Sequence, residues 1–357
     1  MKKYKKVLAM LLAAAMLVLM LAGCGSEPAA EPTEAPAAEE SSSSGFEPVT
    51  YTLNLPTAEN DEDAFYSLSK NFADKVAEKT DGAVTIEIHA NAQLGSGSDA
   101  VMGIQMGTID FNVDSTNTLS GQYSKLTICD LPFMFDSVDQ IMAFCASDNM
   151  KQMQEEVADQ LGVRMLGFGD GGFRAIWSTK GPVTSLESFD GLKIRVPDVS
   201  IYVDTFNAIG ANATPMAGSE VFTALQQGAI DAAEFPIATG ISMGYLEAVS
   251  DVTMDKHFYN LICIQVSEKT WEEMSPELQA VMSEAAQEAQ SAQMEAMAAV
   301  ESQLIATIEE HGITYTPESE VDLTAIREAC QSVYDSYREV IGADFYDSCM
   351  AWFEANR

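Results

Sequence analysis

Gly167-Phe168-Gly169-Asp170-Gly171-Gly172 runs without a break into Phe173-Arg174-Ala175-Ile176-Trp177-Ser178. The first six residues match G-x-G-x-x-G and follow an apolar run, Gly162 to Phe168, that reads as a strand. In a dinucleotide site the next residues would open a helix, whose N-terminus receives the pyrophosphate. Phe173 to Ser178 read as a second strand instead, and Asp170 in the turn would repel phosphate. The segment is therefore expected to be a Gly-Asp-Gly-Gly turn that carries the chain flexibly from one lobe to another. It does not read as a nucleotide cradle.

Outward from this crossing, strand and helix signals alternate, which is the pattern of an α/β protein. Tyr51 to Leu55, Val84 to His89, Ile109 to Val113 and Gly191 to Val196 read as strands. Ala64 to Lys79 places Phe65, Leu68, Phe72 and Val76 on one helical face. Asp61, Glu62 and Asp63 precede it and suit a helix N-terminus, whereas EF-hand spacing is missing. After Gly95-Ser-Gly-Ser98 a short helix is expected through Val101 to Met106. Ser219 to Gln227 reads as a helix capped by Ser219 and stopped by Gly228. Pro276 to Glu310 lacks Gly and Pro and lacks sustained heptads, so one long helix across both lobes is expected rather than a coiled coil. A last helix, Asp322 to Trp352, should break near Gly342.

The N-terminus reads as a processing signal. Lys2, Lys3, Lys5 and Lys6 precede the uncharged apolar run Val7 to Leu21, which is short for a membrane span. Leu21-Ala22-Gly23-Cys24 looks like a lipobox, with Cys24 lipidated and becoming the mature N-terminus. Ser26 to Gly45 is Glu, Pro, Ala, Ser and Thr without a large apolar residue, which fits a tether. The remaining body, about 310 residues, exceeds one typical core and favours two lobes. The expected division is a signal peptide over 1–23 and a tether over 24–46. Lobe 1 then comprises 47–171 plus about 261–300, and lobe 2 comprises 172–260 plus about 301–357.

Net charge is −35, and without residues 1–23, which hold four lysines and no acid, 15 Lys and Arg face 54 Asp and Glu, or −39. That balance argues against nucleic acid. Cysteines 129, 145, 263, 330 and 349 are odd in number and form no C-x-x-C pair, so they read as buried apolar residues. The three histidines lack metal-ligand spacing, and G-x-S-x-G, H-E-x-x-H and Walker A are absent. No cofactor, metal or catalytic set is expected.

Six arginines occur, and two of them, Arg174 and Arg195, lie inside extended apolar segments. A buried guanidinium needs an anion. For Arg195 the choice is an external carboxylate or an internal one such as Glu220 or Glu234, and for Arg174 the same choice stands. Trp177 and Phe235 are divided between packing and pocket wall. Loop positions at strand ends could supply the opposite face of a site: Glu59 and Asn60 after the first strand, and Asp114, Ser115 and Asn117 after the third.

The ordered strings from Gly172-Phe-Arg174 through Gly191-Leu-Lys-Ile-Arg195-Val-Pro197, Gly210-Ala-Asn-Ala-Thr-Pro215-Met-Ala-Gly-Ser-Glu220 and Ala224-Leu-Gln226-Gln-Gly-Ala-Ile-Asp231 to Glu234-Phe-Pro236 resemble the DctP family. These are the extracytoplasmic solute-binding proteins of tripartite ATP-independent periplasmic (TRAP) transporters. Gln93-Leu-Gly95, Gly107-Thr-Ile-Asp110-Phe and Asp130-Leu-Pro132-Phe-Met-Phe135 extend the resemblance over roughly residues 50 to 340. It implies a two-lobed clamp with hinge strands and a long spanning helix. It also implies a lipid-anchored protein on the extracytoplasmic face that passes an organic acid to membrane-embedded TRAP permease subunits. By the same resemblance Arg195 pairs with the ligand carboxylate and Arg174 gives a second contact. Two positions depart from the pattern: Phe235 stands where the family often has Asn, and Gly218 where it is often aromatic. The ligand is therefore expected to present an apolar or aromatic flank to Phe235 or Trp177. The alternatives are a substrate-binding lipoprotein of an ATP-driven uptake system and an extracellular enzyme acting on carboxylated substrates.

Overall fold

A computed structural model describes residues 45–356, and the leader and Cys24 lie outside the described residues. Among the described residues ten strands form one continuous sheet in the order β2-β1-β3-β9-β4-β7-β5-β6, with β8 added to β4 and β10 to β8. The strands are β1 (Val49–Asn54), β2 (Val84–His89), β3 (Phe111–Ser115), β4 (Val163–Ser178), β5 (Lys193–Val196), β6 (Asn212–Pro215), β7 (Ala232–Pro236), β8 (Asp251–Thr253), β9 (Tyr259–Ser267) and β10 (Thr314–Thr316). Strands β2, β1 and β3 are parallel, as are β7, β5 and β6. Between these two groups β9 and β4 run antiparallel to each other and to their outer neighbours.

The crossing differs from the expected strand–turn–strand. Val163 to Ser178 is a single strand of 16 residues. Its first part pairs with β9, and its last five residues, Arg174 to Ser178, pair with β7. Register shifts at Met165/Gly167 and Asp170/Phe173 absorb the glycines as bulges instead of a turn. Gly171 shows why the residue type is needed: a Cβ there would lie 2.3 Å from the Asn260 carbonyl oxygen. The glycines therefore serve close strand approach as well as bending.

The helices follow their apolar spacing. Ala64–Lys79 buries Phe65, Leu68, Phe72 and Val76, and Asp63 caps it by accepting from the Phe65 and Tyr66 N–H groups. Gly218–Gln226 starts one residue before the expected cap; Ala217 is the N-cap, and Ser219 makes no cap bond. The C-terminal stretch is three helices, Leu323–Ala329, Gln331–Ile341 and Ala343–Ala355, with Gly342 at φ 96° marking the expected break. Pro276–Glu310 is one helix of 35 residues. Its N-terminal half packs Met282, Ala285, Ala286 and Ala289 onto the core under β1, β3 and β9, which includes Phe72 and Phe111. Its C-terminal half packs Leu304 and Ile308 onto a different core, with Ala175, Trp177, Val221 and Ala233. One helix thus braces both ends of the sheet, giving the two-lobed α/β clamp. The five cysteines are buried and unpaired. Among the described residues no helix is long and apolar enough to cross a membrane.

Candidate functional site

Arg174 and Arg195 come from neighbouring parts of the sheet, β4 and β5, yet they meet different partners. Both are 4 % exposed. Arg174 grips Glu234 of β7 with two guanidinium nitrogens, one bond being Nη2 to Oε1 at 2.8 Å. Nη2 also donates to the Glu234 carbonyl at 2.9 Å, and Nη1 donates to Asn260 Oδ1 at 3.0 Å. Behind Glu234, His257 Nε2 approaches its carboxylate at 3.3 Å, while His257 Nδ1 meets Asp255 Oδ1 at 2.6 Å. Burial works against charge on His257, but Asp255 and Glu234 outweigh it and hold the imidazole at about 9. Burial would likewise raise Glu234, yet Arg174 and His257 bring it below the ordinary carboxylate value. Two cations and two anions therefore form a closed, neutral buried row.

Arg195 has no such anion. Its Nε and Nη2 donate to the Met216 carbonyl at 2.8 and 2.6 Å. Its Nη1 is buried without a hydrogen-bond partner. Burial pushes the guanidinium down to about 10, only partly offset by the Glu234 charge. The Phe235 ring lies against it, 4.5 Å from Cζ to centroid, and Phe235 meets Tyr245 in an edge-to-face arrangement with centroids 5.2 Å apart. Phe235 is also 5.3 Å from the Arg174 guanidinium carbon. Of the internal partners considered for Arg195, Glu234 is committed to Arg174. Among the described residues Arg195 is a buried cation with a donor left unused.

Polar side chains from the β3 end join this set through contacts. Ser115 Oγ donates to Asn260 Oδ1 at 2.8 Å, so Ser115 and Arg174 share one acceptor. Asn117 Nδ2 donates to Tyr202 Oη at 2.9 Å, and Tyr202 donates to Asp130 Oδ1 at 3.0 Å. The Tyr202 ring lies 5.4 Å from the Arg174 guanidinium carbon. Asp114 accepts from the Ser115 N–H at 2.7 Å, and burial pushes its carboxyl up to about 7. Gly218, at the start of its helix, places a would-be Cβ 3.3 Å from Met243 Cε and 3.9 Å from Phe235 Cζ. Gly218 and Phe235 are thus neighbours.

Of the expected residues, Glu59 and Asn60 stand outside this contact chain, and Trp177 joins it only through the Phe235 backbone. Trp177 is fully buried, donates Nε1–H to the Phe235 carbonyl at 3.1 Å, and leaves no room for a side chain at Gly240. For Trp177 the choice between pocket wall and packing falls to packing. Glu59 is exposed, and Asn60 accepts from the Glu62 N–H in a local turn. Sequence reasoning missed Asn260, Tyr202, Met216 and His257. Asn260 carries the one available signal, being with Gln265 one of two amides in the largely apolar strand Tyr259–Ser267; the others depend on distant strands meeting.

The family profile of DctP, bacterial extracellular solute-binding protein, family 7, matches residues 57–340. The chain belongs to this family. A solute-binding protein of Roseobacter denitrificans is 31 % identical over 239 residues, 67 % of this chain and 73 % of that protein. A TRAP periplasmic solute-binding protein from the same species, solved with bound L-galactonate, superposes with a TM-score of 0.75 at 28 % identity, covering 81 % of this chain and 94 % of the other. One from Chromohalobacter salexigens with bound D-glucuronate gives 0.77 at 26 % identity, covering 83 % and 99 %. A DctP-family protein is an extracytoplasmic solute-binding component of a TRAP transporter rather than an enzyme, and its partners are membrane permease subunits.

Proposed function

We propose that this DctP-family protein is anchored to the membrane through Cys24 and captures an organic acid between its lobes, with Arg195 gripping the carboxylate. The observation that carries this reading is the buried Nη1 of Arg195, without a partner beside an Arg174 already neutralised by Glu234. A carboxylate supplies two charge-assisted bonds to such a fork and relieves the cost of an isolated buried charge. The bound galactonate and glucuronate of the related structures support a carboxylate as the shared feature. Arg174 then acts through Asn260 and Phe235, as a support for the gripping arginine. Ser115, Asn117 and Asp114 come from the side of the sheet that belongs to lobe 1, residues 47–171 plus about 261–300. Arg195, Phe235 and Gly218 belong to lobe 2, residues 172–260 plus about 301–357, so a ligand touching both sets fastens the lobes.

A thermal-shift screen of organic acids tests the capture. An acid at a hundred times its dissociation constant adds about 2.7 kcal/mol of stability. Arg195→Ala abolishes that shift, while a flat response from folded protein across mono- and dicarboxylates and sugar acids refutes the reading. For the anchor, Cys24→Ser moves the protein out of the membrane fraction; retention there refutes it.

A further inference from the structure

The groups around Arg195 also bear on which acid it takes. One face of its guanidinium is covered by the Phe235 ring at 4.5 Å. That ring packs against Tyr245, and the Tyr245 hydroxyl makes only long contacts, 3.4 Å to the Gly218 carbonyl and 3.5 Å to Met243 sulfur. Met243 Cε fills the space over Gly218, 3.3 Å from where a Cβ would stand. Beside the buried Arg195 guanidinium, therefore, stand an aromatic ring, a thioether and a bare glycine. A flexible methionine next to a glycine adapts to apolar shapes and offers a hydroxyl almost nothing.

Most hydrogen-bonding groups nearby are engaged with one another, although Asp130 Oδ2 is buried without a partner. Ser115 and Arg174 both donate to Asn260, and Asn117 donates to Tyr202, which donates to Asp130. A ligand hydroxyl that does not reach Asp130 Oδ2 must break such a pair or go unmatched, and an unmatched buried polar group is costly. A hydrocarbon or aromatic flank pays neither cost.

Resting on the carboxylate reading above, we propose that Phe235, with Met243 over Gly218, selects monocarboxylates carrying an apolar flank and disfavours polyhydroxylated acids. Phe235 touches Arg195 directly, so it both orients the guanidinium and forms the face that the ligand's carbon skeleton meets.

Calorimetric titration of the full chain with 4-methylpentanoate, 3-phenylpropionate, D-glucuronate and D-galactonate tests this. Wild-type protein binds at least one apolar acid about tenfold or more tighter than either sugar acid, the discrimination expected of an apolar pocket wall. Phe235→Asn reduces that ratio about tenfold or more, whereas Phe235→Leu, which stays apolar, retains it. Tighter binding of a sugar acid by the wild type, or a ratio unmoved by Phe235→Asn in folded protein, overturns the selectivity but leaves Arg195-dependent capture standing. Binding of none of the four, together with a flat thermal-shift panel, overturns both.

Discussion

Replacing Arg195 with methionine should separate binding from stability. In the ligand-free protein the buried guanidinium is held at about 10 against an ordinary 12.5. Such a depression corresponds to a burial cost of about 3 kcal/mol at most. Methionine removes that cost but leaves the Met216 carbonyl without its two donors, a loss of about 1 kcal/mol. Arg195→Met is therefore expected to leave the ligand-free fold unchanged or more stable by up to about 2 kcal/mol. Its affinity for a carboxylate should fall by about 2–5 kcal/mol, the usual result of removing one member of a buried charge pair. Arg174→Met should do the opposite to stability. It leaves the buried row with one anion in excess at Glu234, which is 0 % exposed and keeps only His257, and should cost about 3–5 kcal/mol. Urea unfolding of both variants without ligand, followed by calorimetry on Arg195→Met, reads the contrast. Equal destabilisation by the two substitutions would show that Arg195 has an internal anion, and the assignment of its role would fail.

Stability should fall as pH rises from about 6 to about 9. His257 is raised from 6.5 to about 9, so its contribution is whole below 6.5 and is lost as pH climbs through 9. Asp114 and Asp130 are raised from 3.8 to about 7 by burial, so the stability from their protonated forms is whole below 3.8 and lost as pH rises to 7, and only the end of that loss falls in this window. Both effects share a sign, and together they amount to about 2–5 kcal/mol; urea midpoints that stay level or increase over that range would contradict it. Gly171→Ala forces a methyl to within 2.3 Å of the Asn260 carbonyl oxygen and should destabilise by more than about 2 kcal/mol, with weaker ligand binding because Asn260 also holds Arg174. A substitution that leaves both the melting temperature and affinity intact would mean that β4 and β9 separate freely.

Alternation, helical spacing and capping acids made the lobes readable, because Phe65, Leu68, Phe72 and Val76 announce their face locally. The strand through Gly167 to Gly172 was less readable: glycines mark both turns and bulges, and only the position of Asn260 on β9 distinguishes them. Arg195 stood out because a cation among apolar residues is anomalous in any sequence. The fate of Arg174 depended on Glu234, and of the two arginines that could claim this carboxylate, pairing of β4 with β7 put Arg174 alongside it. Trp177 illustrates the same limit, since its burial is decided by Gly240, far along the chain.

The bulge at Asp170 bears on how the clamp moves. Gln293 of the long helix accepts from the Asp170 N–H at 3.0 Å and donates to the Asp170 carbonyl at 2.7 Å. The Asp170 carboxylate accepts from the Gly172 N–H at 2.8 Å and from the Tyr259 hydroxyl at 2.6 Å. Beside the register shift, side chains thus hold the Asp170 backbone, while the β4–β9 ladder continues through Asp170 with Leu261 and Phe173 with Tyr259. The side-chain bonds can swivel with their rotamers, while a ladder must hold its spacing. This joint is therefore held by rotatable side-chain bonds on one side and by a ladder with an uneven register on the other, a softer restraint than an unbroken ladder would impose.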